Sequence, residues 1–369
     1  MRLMLPGPTP VSARIREAMS RPMIAHRSEE FEALWGELTS GLLPIFGLGS
    51  AGVALVLSGS GTGVMESAIL SLMAPESDCV VCVNGKFSGR WAQVCRSARW
   101  LNARVHVVES EWGWVVDVEA LENKLVELEN VRTIVVVHSE TSTGTLSDLE
   151  AIGRCAREHA PEALLVADTI TSAGAMDVRM DDWGIDACVL SSQKSPGMPP
   201  GAGVVALGTR ALACLGESEG GVPLSMDLRW HARAHESGSV ACTPPIAHCY
   251  GLLEWLRIVG EEGLEARCVR IERQGQRVRD ALVEMGMEVF SSSPSPSVSA
   301  LRVGGGMADE IRRTLRAEHG IVIAGGQEQL GGGVVRIGHM GSVTDDDIDA
   351  LLEAMGRVLQ RPEFAGVGA

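Results

Sequence analysis

Only three of the chain's 32 basic residues are lysines: Lys86, Lys124 and Lys194. A lysine amine can attack a carbonyl and an arginine guanidinium cannot, so side-chain amine chemistry has three candidates. Lys194 is the distinctive one. It follows the apolar run ACVLS and Ser192-Gln193, then enters a Pro/Gly-rich turn, SPGMPPGAG. An amine at the end of a buried strand loses hydration, which lowers its pKa and populates the neutral, nucleophilic form. Lys124 lies at the edge of a helical apolar stripe, from which its long side chain can reach solvent. Lys86 precedes an aromatic residue and has no comparable surroundings.

Four further groups fit the same kind of chemistry. Ser58-Gly59-Ser60-Gly61-Thr62-Gly63 joins a strand to a helix. Its glycines let backbone approach an anion and the helix N-terminus adds free N–H donors, although a plain tight turn explains the sequence equally. It has neither the Lys-Ser/Thr ending of a nucleotide P-loop nor the spacing of a dinucleotide fingerprint. Asp168 ends the apolar run of LLVADTITSAG, as a helix N-cap or as a functional carboxylate at a strand end. His138-Ser-Glu-Thr-Ser-Thr-Gly144 gathers an imidazole, a carboxylate and hydroxyls at another strand end; a polar loop with an N-cap is the plainer reading. Arg336, in VVRIGHMG, suits bidentate carboxylate binding or pairing with an acidic surface.

These residues need elements to hold them. From residue 51 to about 207, apolar runs of strand length (AGVALVL, CVVCV, RVHVV, TIVVV, ALLVA, ACVLS, GVVAL) alternate with helical stretches at 63–73, 88–98, 117–129 and 147–159. In the third stretch Val118, Leu121, Leu125 and Leu128 form one apolar stripe, with Asp117 placed as N-cap. Near-continuously apolar strands alternating with helices indicate an α/β fold whose mostly parallel sheet is covered on both faces. Beyond about residue 255 the order becomes a long charged helix (261–285), a strand, a helix (307–319), two short strands and a final helix (344–359). The expected division is a large domain over 1–255 and a smaller α+β domain over 256–369. The first fifteen or so residues are expected to pack on the small domain or on a partner subunit. Ligands are expected at strand C-terminal ends and between domains.

Composition narrows the function. Acidic residues outnumber basic ones 47 to 32, for a formal net charge of −15. That is no footprint for nucleic acid. The N-terminus has no signal-peptide pattern and no apolar run approaches a membrane span, so no membrane partner is expected. Nine cysteines, an odd number, point to a reducing, cytoplasmic setting. Cys79 and Cys82 fall on opposite faces of a strand, and His231 and His235 have no third ligand nearby, so no metal site is expected.

In order, the Gly loop, H-x-E-x-S/T-T-G, strand-end Asp, S-x-Q-K and R-I-G resemble the class V aminotransferases, pyridoxal 5'-phosphate enzymes of fold type I. The nearest branch is alanine/serine–glyoxylate (serine–pyruvate). The opening GPTP, Ile24-Ala-His-Arg-Ser-Glu-Glu-Phe31, Trp183-Gly-Ile-Asp186 and Arg336-Ile-Gly-His-Met-Gly341 fit that branch, so the resemblance spans residues 5 to about 355. It implies a large domain with a mostly parallel mixed sheet and a small C-terminal domain. Lys194 would be the Schiff-base lysine and proton shuttle, and Asp168 the carboxylate facing the pyridine nitrogen. Ser60, Gly61 and Thr62 would bind the phosphate with Gln193. Thr141 would lie by the ring hydroxyl, and Phe87 and Ile170 would cover the two ring faces. Thr243 would reach a neighbouring subunit's phosphate in a homodimer with shared sites. Arg336 would hold the substrate α-carboxylate.

The implied reaction moves an amino group from a small amino acid, of serine or alanine type, to a 2-oxo acid such as glyoxylate or pyruvate. Two positions depart from the branch. Val240 stands where relatives often have tyrosine, which removes a phosphate donor, and Phe87 replaces the more frequent Trp. Three alternatives share the scaffold. A 2-aminoethylphosphonate–pyruvate transaminase would need cations such as Arg90 and Arg27. A cysteine desulfurase or other lyase would need a catalytic thiol, for which Cys242 is the candidate. A non-catalytic hydrogenase-type subunit sits badly with an intact Lys194, Asp168 and Arg336.

Overall fold

The computed structural model describes residues 1–217 and 221–364. At its centre is a seven-stranded sheet. In chain order the strands are β1 (Val53–Gly59), β2 (Asp78–Val83), β3 (Arg104–Glu109), β4 (Val131–Val137), β5 (Leu164–Asp168), β6 (Ala187–Ser191) and β7 (Gly201–Leu207). In space they run β1-β7-β6-β5-β4-β2-β3. All neighbours are parallel except β7, which is antiparallel to both β1 and β6. The apolar pattern of GVVAL identifies a buried strand and says nothing of its direction.

Two apolar cores flank the sheet. One holds Leu55, Val81, Val135, Val166 and Val189 against helices α1 (Gly61–Leu72) and α2 (Lys86–Ser97). The other holds Val56, Val80, Val136, Leu165 and Leu190 against α3 (Val118–Glu127), α4 (Leu149–His159) and α5 (Ile246–Glu262). Alternate residues of each strand feed opposite cores, as the pleat requires. Cys79 and Cys82 follow that rule and lie in different cores. Asp117 and Asp148 cap α3 and α4 by accepting from the backbone N–H of Ala120 and Ala151. The second core also takes a helix over Glu29–Leu42, which the sequence reading did not identify. Residue 255, where that reading divides the chain, lies inside α5, and Trp255 is buried in the large core.

Downstream of α5 come α6 (Leu264–Glu284), α7 (Ala308–His319) and α8 (Asp345–Leu359). They pack with a small antiparallel sheet of β8 (Glu288–Val289), β9 (Val298–Arg302), β10 (Ala324–Gly325) and β11 (Val334–Gly338), in the order β8-β9-β11-β10. Their shared core also takes Met4 from the N-terminal segment. Residues 1–10 form a strap. Arg2–Leu3 pairs in parallel with Ile321–Val322, and Gly338 N donates to Met4 O at 2.9 Å. At the strap's other end Thr9 N donates to Gln193 O at 3.0 Å and Thr9 Oγ1 to Lys194 O at 2.8 Å. The strap thus spans from the small sheet to the lysine turn.

Candidate active site

The carboxyl ends of β1, β4, β5 and β6 meet around one cavity of about 520 Å³. Strand ends of a parallel sheet are where functional side chains emerge, because the apolar runs stop there. Ser60, Gly61, Thr62, Phe87, Thr141, Asp168, Ile170, Gln193 and Lys194 all line this cavity. Nine positions spread over 135 residues of chain are thereby brought to one place (from 60 to 194).

Lys194 sits in a held turn. Its N–H donates to Ser191 O at 3.2 Å, and its carbonyl accepts from Gly197 N at 2.9 Å. Its Nζ donates to the carbonyl of Pro6 at 2.8 Å and lies 5.7 Å from the Phe87 ring centre. Loss of hydration, then the positive charge of Arg336, lowers its pKa to about 8, with Asp168 acting in the opposite sense. Lys86 and Lys124 are instead ion-paired, with Glu328 and Glu127. Among the described residues, no carboxylate lies within ion-pairing distance of Lys194.

Asp168 closes β5. Its Oδ2 accepts from Trp91 Nε1 at 2.8 Å and its Oδ1 from Ile170 N at 2.9 Å. Burial raises its pKa to about 6, and these two donors hold it from rising further. Trp91 was not singled out by sequence. It lies four residues after Phe87 on α2, and so on the same helix face.

The Ser60 turn is a helix N-terminus in the strict sense. Ser60 caps α1, its Oγ accepting from Gly63 N at 3.3 Å. The N–H groups of Gly61 and Thr62 find no acceptor among the described residues, which leaves them for an anion. Gln193 Oε1 accepts from Ser191 Oγ, so its amide NH2 remains available.

The His138–Gly144 stretch separates into distinct roles. His138 turns away from the cavity and packs edge-on against Trp183, with ring centres 5.9 Å apart. Burial lowers its pKa to about 4. Glu140 is fully buried. Its Oε2 accepts from Ser88 N and Oγ at 2.8 and 3.0 Å, and its Oε1 from Ser142 N and Oγ at 3.0 and 2.6 Å. Four donors on one carboxylate fix the first turn of α2, which carries Phe87. A Cβ on Gly85 would lie 2.4 Å from Glu140 Cγ, so only glycine admits this approach.

Arg336 lies on β11, behind Thr141, and is not among the residues that line this cavity. Its Nη1 donates to Thr141 O and its Nε to Gly325 O, both at 2.8 Å. Burial lowers its pKa to about 10. Thr243 is exposed and lies outside the Lys194 cavity of its own chain. Val240 and Cys242 line a different cavity, with Ser58 and His231. No cysteine lines the Lys194 cavity among the described residues, and the lyase alternative has no thiol there. Of the two arginines considered for a phosphonate, Arg90 lines the cavity and Arg27 is exposed outside it. His231 Nε2 pairs with Ser225 O at 3.0 Å, and no group of three or more metal-ligating side chains occurs among the described residues.

This donor set can receive a flat ring that bears a basic nitrogen, an aldehyde and a phosphate. It offers an amine, a buried carboxylate, an aromatic face and a cup of free N–H groups. The comparisons with known proteins point the same way. The family described as aminotransferase class-V matches residues 18–351.

The chain belongs to the class-V aminotransferases.

This class-V aminotransferase is 33% identical over 364 residues to the soluble hydrogenase 42 kDa subunit of Anabaena cylindrica, covering 97% of this chain and 93% of that one. It is 33% identical over 350 residues to an L-aspartate–glyoxylate aminotransferase of Paracoccus denitrificans, covering 93% and 87%. Among solved structures, a subgroup IV aspartate aminotransferase from Thermus thermophilus superposes with a TM-score of 0.89 at 31% identity, covering 98% and 99%. No helix of the described aminotransferase chain is long and apolar enough to cross a membrane.

Proposed function

We propose that this chain binds pyridoxal 5'-phosphate in the Lys194 cavity and moves an amino group from a small amino acid, of serine or alanine type, to a 2-oxo acid such as glyoxylate or pyruvate. The observation that carries this reading is the desolvated Lys194 amine. It opens on the same cavity as the buried Asp168 carboxylate and the Ser60–Gly61–Thr62 cup. Lys194 would hold the cofactor aldehyde, Asp168 its ring nitrogen, and Ser60, Gly61, Thr62 and Gln193 its phosphate. Thr141 would lie by the ring hydroxyl, and Phe87 and Ile170 would cover the ring.

When bound, the cofactor supplies an aldehyde that takes up the amino group and a ring that draws electron density from the substrate Cα. The rest is done by the chain. Asp168, ionised beside the ring nitrogen, favours the protonated ring. Lys194, once its amine is free, would take the proton from substrate Cα and hold it for return to the cofactor's aldehyde carbon, across the nitrogen. With a pKa of about 8 it stays close to the neutral form a base requires. Arg336 keeps its Nη2 without a partner among the described residues, and would bind the substrate α-carboxylate there and so orient the Cα–H bond.

A screen of half-reactions tests the choice of donor. Serine, alanine, aspartate and 2-aminoethylphosphonate are each mixed with the holoenzyme, and the cofactor spectrum is followed. Serine or alanine is expected to react fastest, with glyoxylate or pyruvate restoring the starting spectrum. Aspartate belongs in the screen because two of the relatives carry it in their names. Fastest reaction with the phosphonate would replace the present reading by the phosphonate one.

The same reading includes a homodimer with shared sites. The exposed Thr243, outside its own chain's cavity, would serve the phosphate of the partner, and the 26–28 segment would lie at the interface. Light scattering is expected to give twice the chain mass of 39.1 kDa. A fully active monomer at assay dilution would overturn it. A cytoplasmic location is supported by the cysteine count, nine and so odd.

A further inference from the structure

We infer that Arg90 is a ligand of the cofactor phosphate and supplies the charge that the Ser60–Gly61–Thr62 cup lacks. The inference rests on the cofactor reading above. Arg90 lies three residues after Phe87 on α2, so the two share a helix face. Its guanidinium carbon is 5.0 Å from the Phe87 ring centre. Its Nη1 is 3.4 Å from Thr62 Oγ1, in the first turn of α1, and its side chain lines the Lys194 cavity.

The partners of Arg90 are too few for its chemistry. A guanidinium has five N–H donors and always carries its charge. Arg90 is half-buried, yet its one hydrogen bond is the long contact with Thr62, a neutral hydroxyl. Among the described residues no carboxylate lies within 4 Å of it. Other partly buried arginines in this chain have such a partner: Arg157 pairs with Asp186 at 2.7 Å and Arg229 with Asp227 at 2.9 Å. Arg90 therefore holds open a place for an anion with several oxygens.

The cup has the matching deficit. Gly61 N, Thr62 N, Thr62 Oγ1 and the Gln193 amide offer hydrogen bonds but no formal charge. A phosphate monoester brings about −1.5 to −2. Lys194 is committed to the aldehyde, and Arg336 is directed to Thr141 O and Gly325 O. Arg90 is the cation that the structure places against the cup itself. A carboxylate at the far end of a substrate is the competing occupant, and the Thr62 contact favours the phosphate.

The test titrates the cofactor-free protein by absorbance with pyridoxal phosphate and, separately, with pyridoxal, which has the aldehyde and ring but no phosphate. Wild type, Arg90→Gln and Arg90→Lys are compared, and no turnover is needed. Arg90→Gln is expected to weaken pyridoxal phosphate by about ten- to a hundredfold, the size of charge-assisted hydrogen bonds, and to leave pyridoxal within about twofold. Arg90→Lys, which keeps the charge and loses the fork, is expected to fall between. Equal weakening of both compounds would overturn the proposal, since Arg90 would then act through the packing of Phe87. So would unchanged binding of both compounds, because Arg90 would then not touch the phosphate. Binding of neither compound by wild type would instead remove the cofactor reading on which the proposal stands.

Discussion

Replacing Lys194 by alanine is expected to abolish covalent capture of the cofactor. Borohydride treatment of the wild-type holoenzyme is expected to fix pyridoxal phosphate on one lysine, and peptide mass spectrometry to place it at Lys194. Lys194→Ala should give no adduct, and turnover should fall by at least roughly 10²–10⁴-fold, the range that a positioned proton-transfer group contributes. With only Lys86 and Lys124 left in the chain, and both ion-paired, the result is easy to read. An adduct that persists on either would refute the assignment. The pH dependence carries a second signature. Capture of pyridoxal by cofactor-free protein should rise through about pH 8, where the Lys194 amine loses its proton, well below the ~10.4 of an ordinary lysine. Arg336 destabilises the ammonium form, so Arg336→Met should move that midpoint to higher pH.

Adding a single methyl group at Gly7 should be nearly as damaging to turnover. Gly7 has φ +129°, a conformation that alanine adopts only under strain. A Cβ there would lie 2.4 to 2.6 Å from Cδ, Nζ and Cε of Lys194. The lysine side chain is flexible and can swing aside, so the protein is expected to fold with a loss of about 1–3 kcal/mol for the strained backbone. The amine, however, leaves the Pro6 carbonyl and its place in the cavity. A displacement of about 1 Å costs on the order of 10²-fold in rate when a reacting group must be held in line. Gly7→Ala should therefore keep a cooperative melting transition and bound cofactor while kcat falls by about that factor. Unchanged kcat would show that the strap has no hold on the lysine.

Much of the site was legible because its signals are local. Lys194, Asp168 and the Ser60 turn each interrupt an apolar run at the point where a buried strand must end, and a parallel sheet brings such ends together. The helix over Glu29–Leu42 is legible too, in the period of Phe31, Leu34, Trp35, Leu38 and Leu42, although the Ile24–Phe31 motif takes in only the first of these. Other features leave no local trace. The side-chain donor on Asp168 comes from Trp91, 77 residues away, and the donors on Glu140 include Ser88, 52 residues away. The acceptor for Lys194 is a backbone carbonyl, 188 residues distant, and a carbonyl belongs to every residue type. His138 and Glu140 looked like one polar cluster, but the chain leaves the sheet after Val137 and the two side chains part.

The strap over residues 1–10 has a consequence for how the molecule is made. It leaves the ribosome before Gln193, Lys194, Ile321 and Gly338, the residues that dock it. Domains tend to fold as they emerge, yet this segment must wait until more than three hundred further residues are synthesised before Gly338 can bind Met4. The sheet and its lysine turn can form earlier, with the amine still uncapped. Closure of the cavity over Lys194 is thus a late, whole-chain event, and a nascent chain stopped before the small sheet would carry an open site.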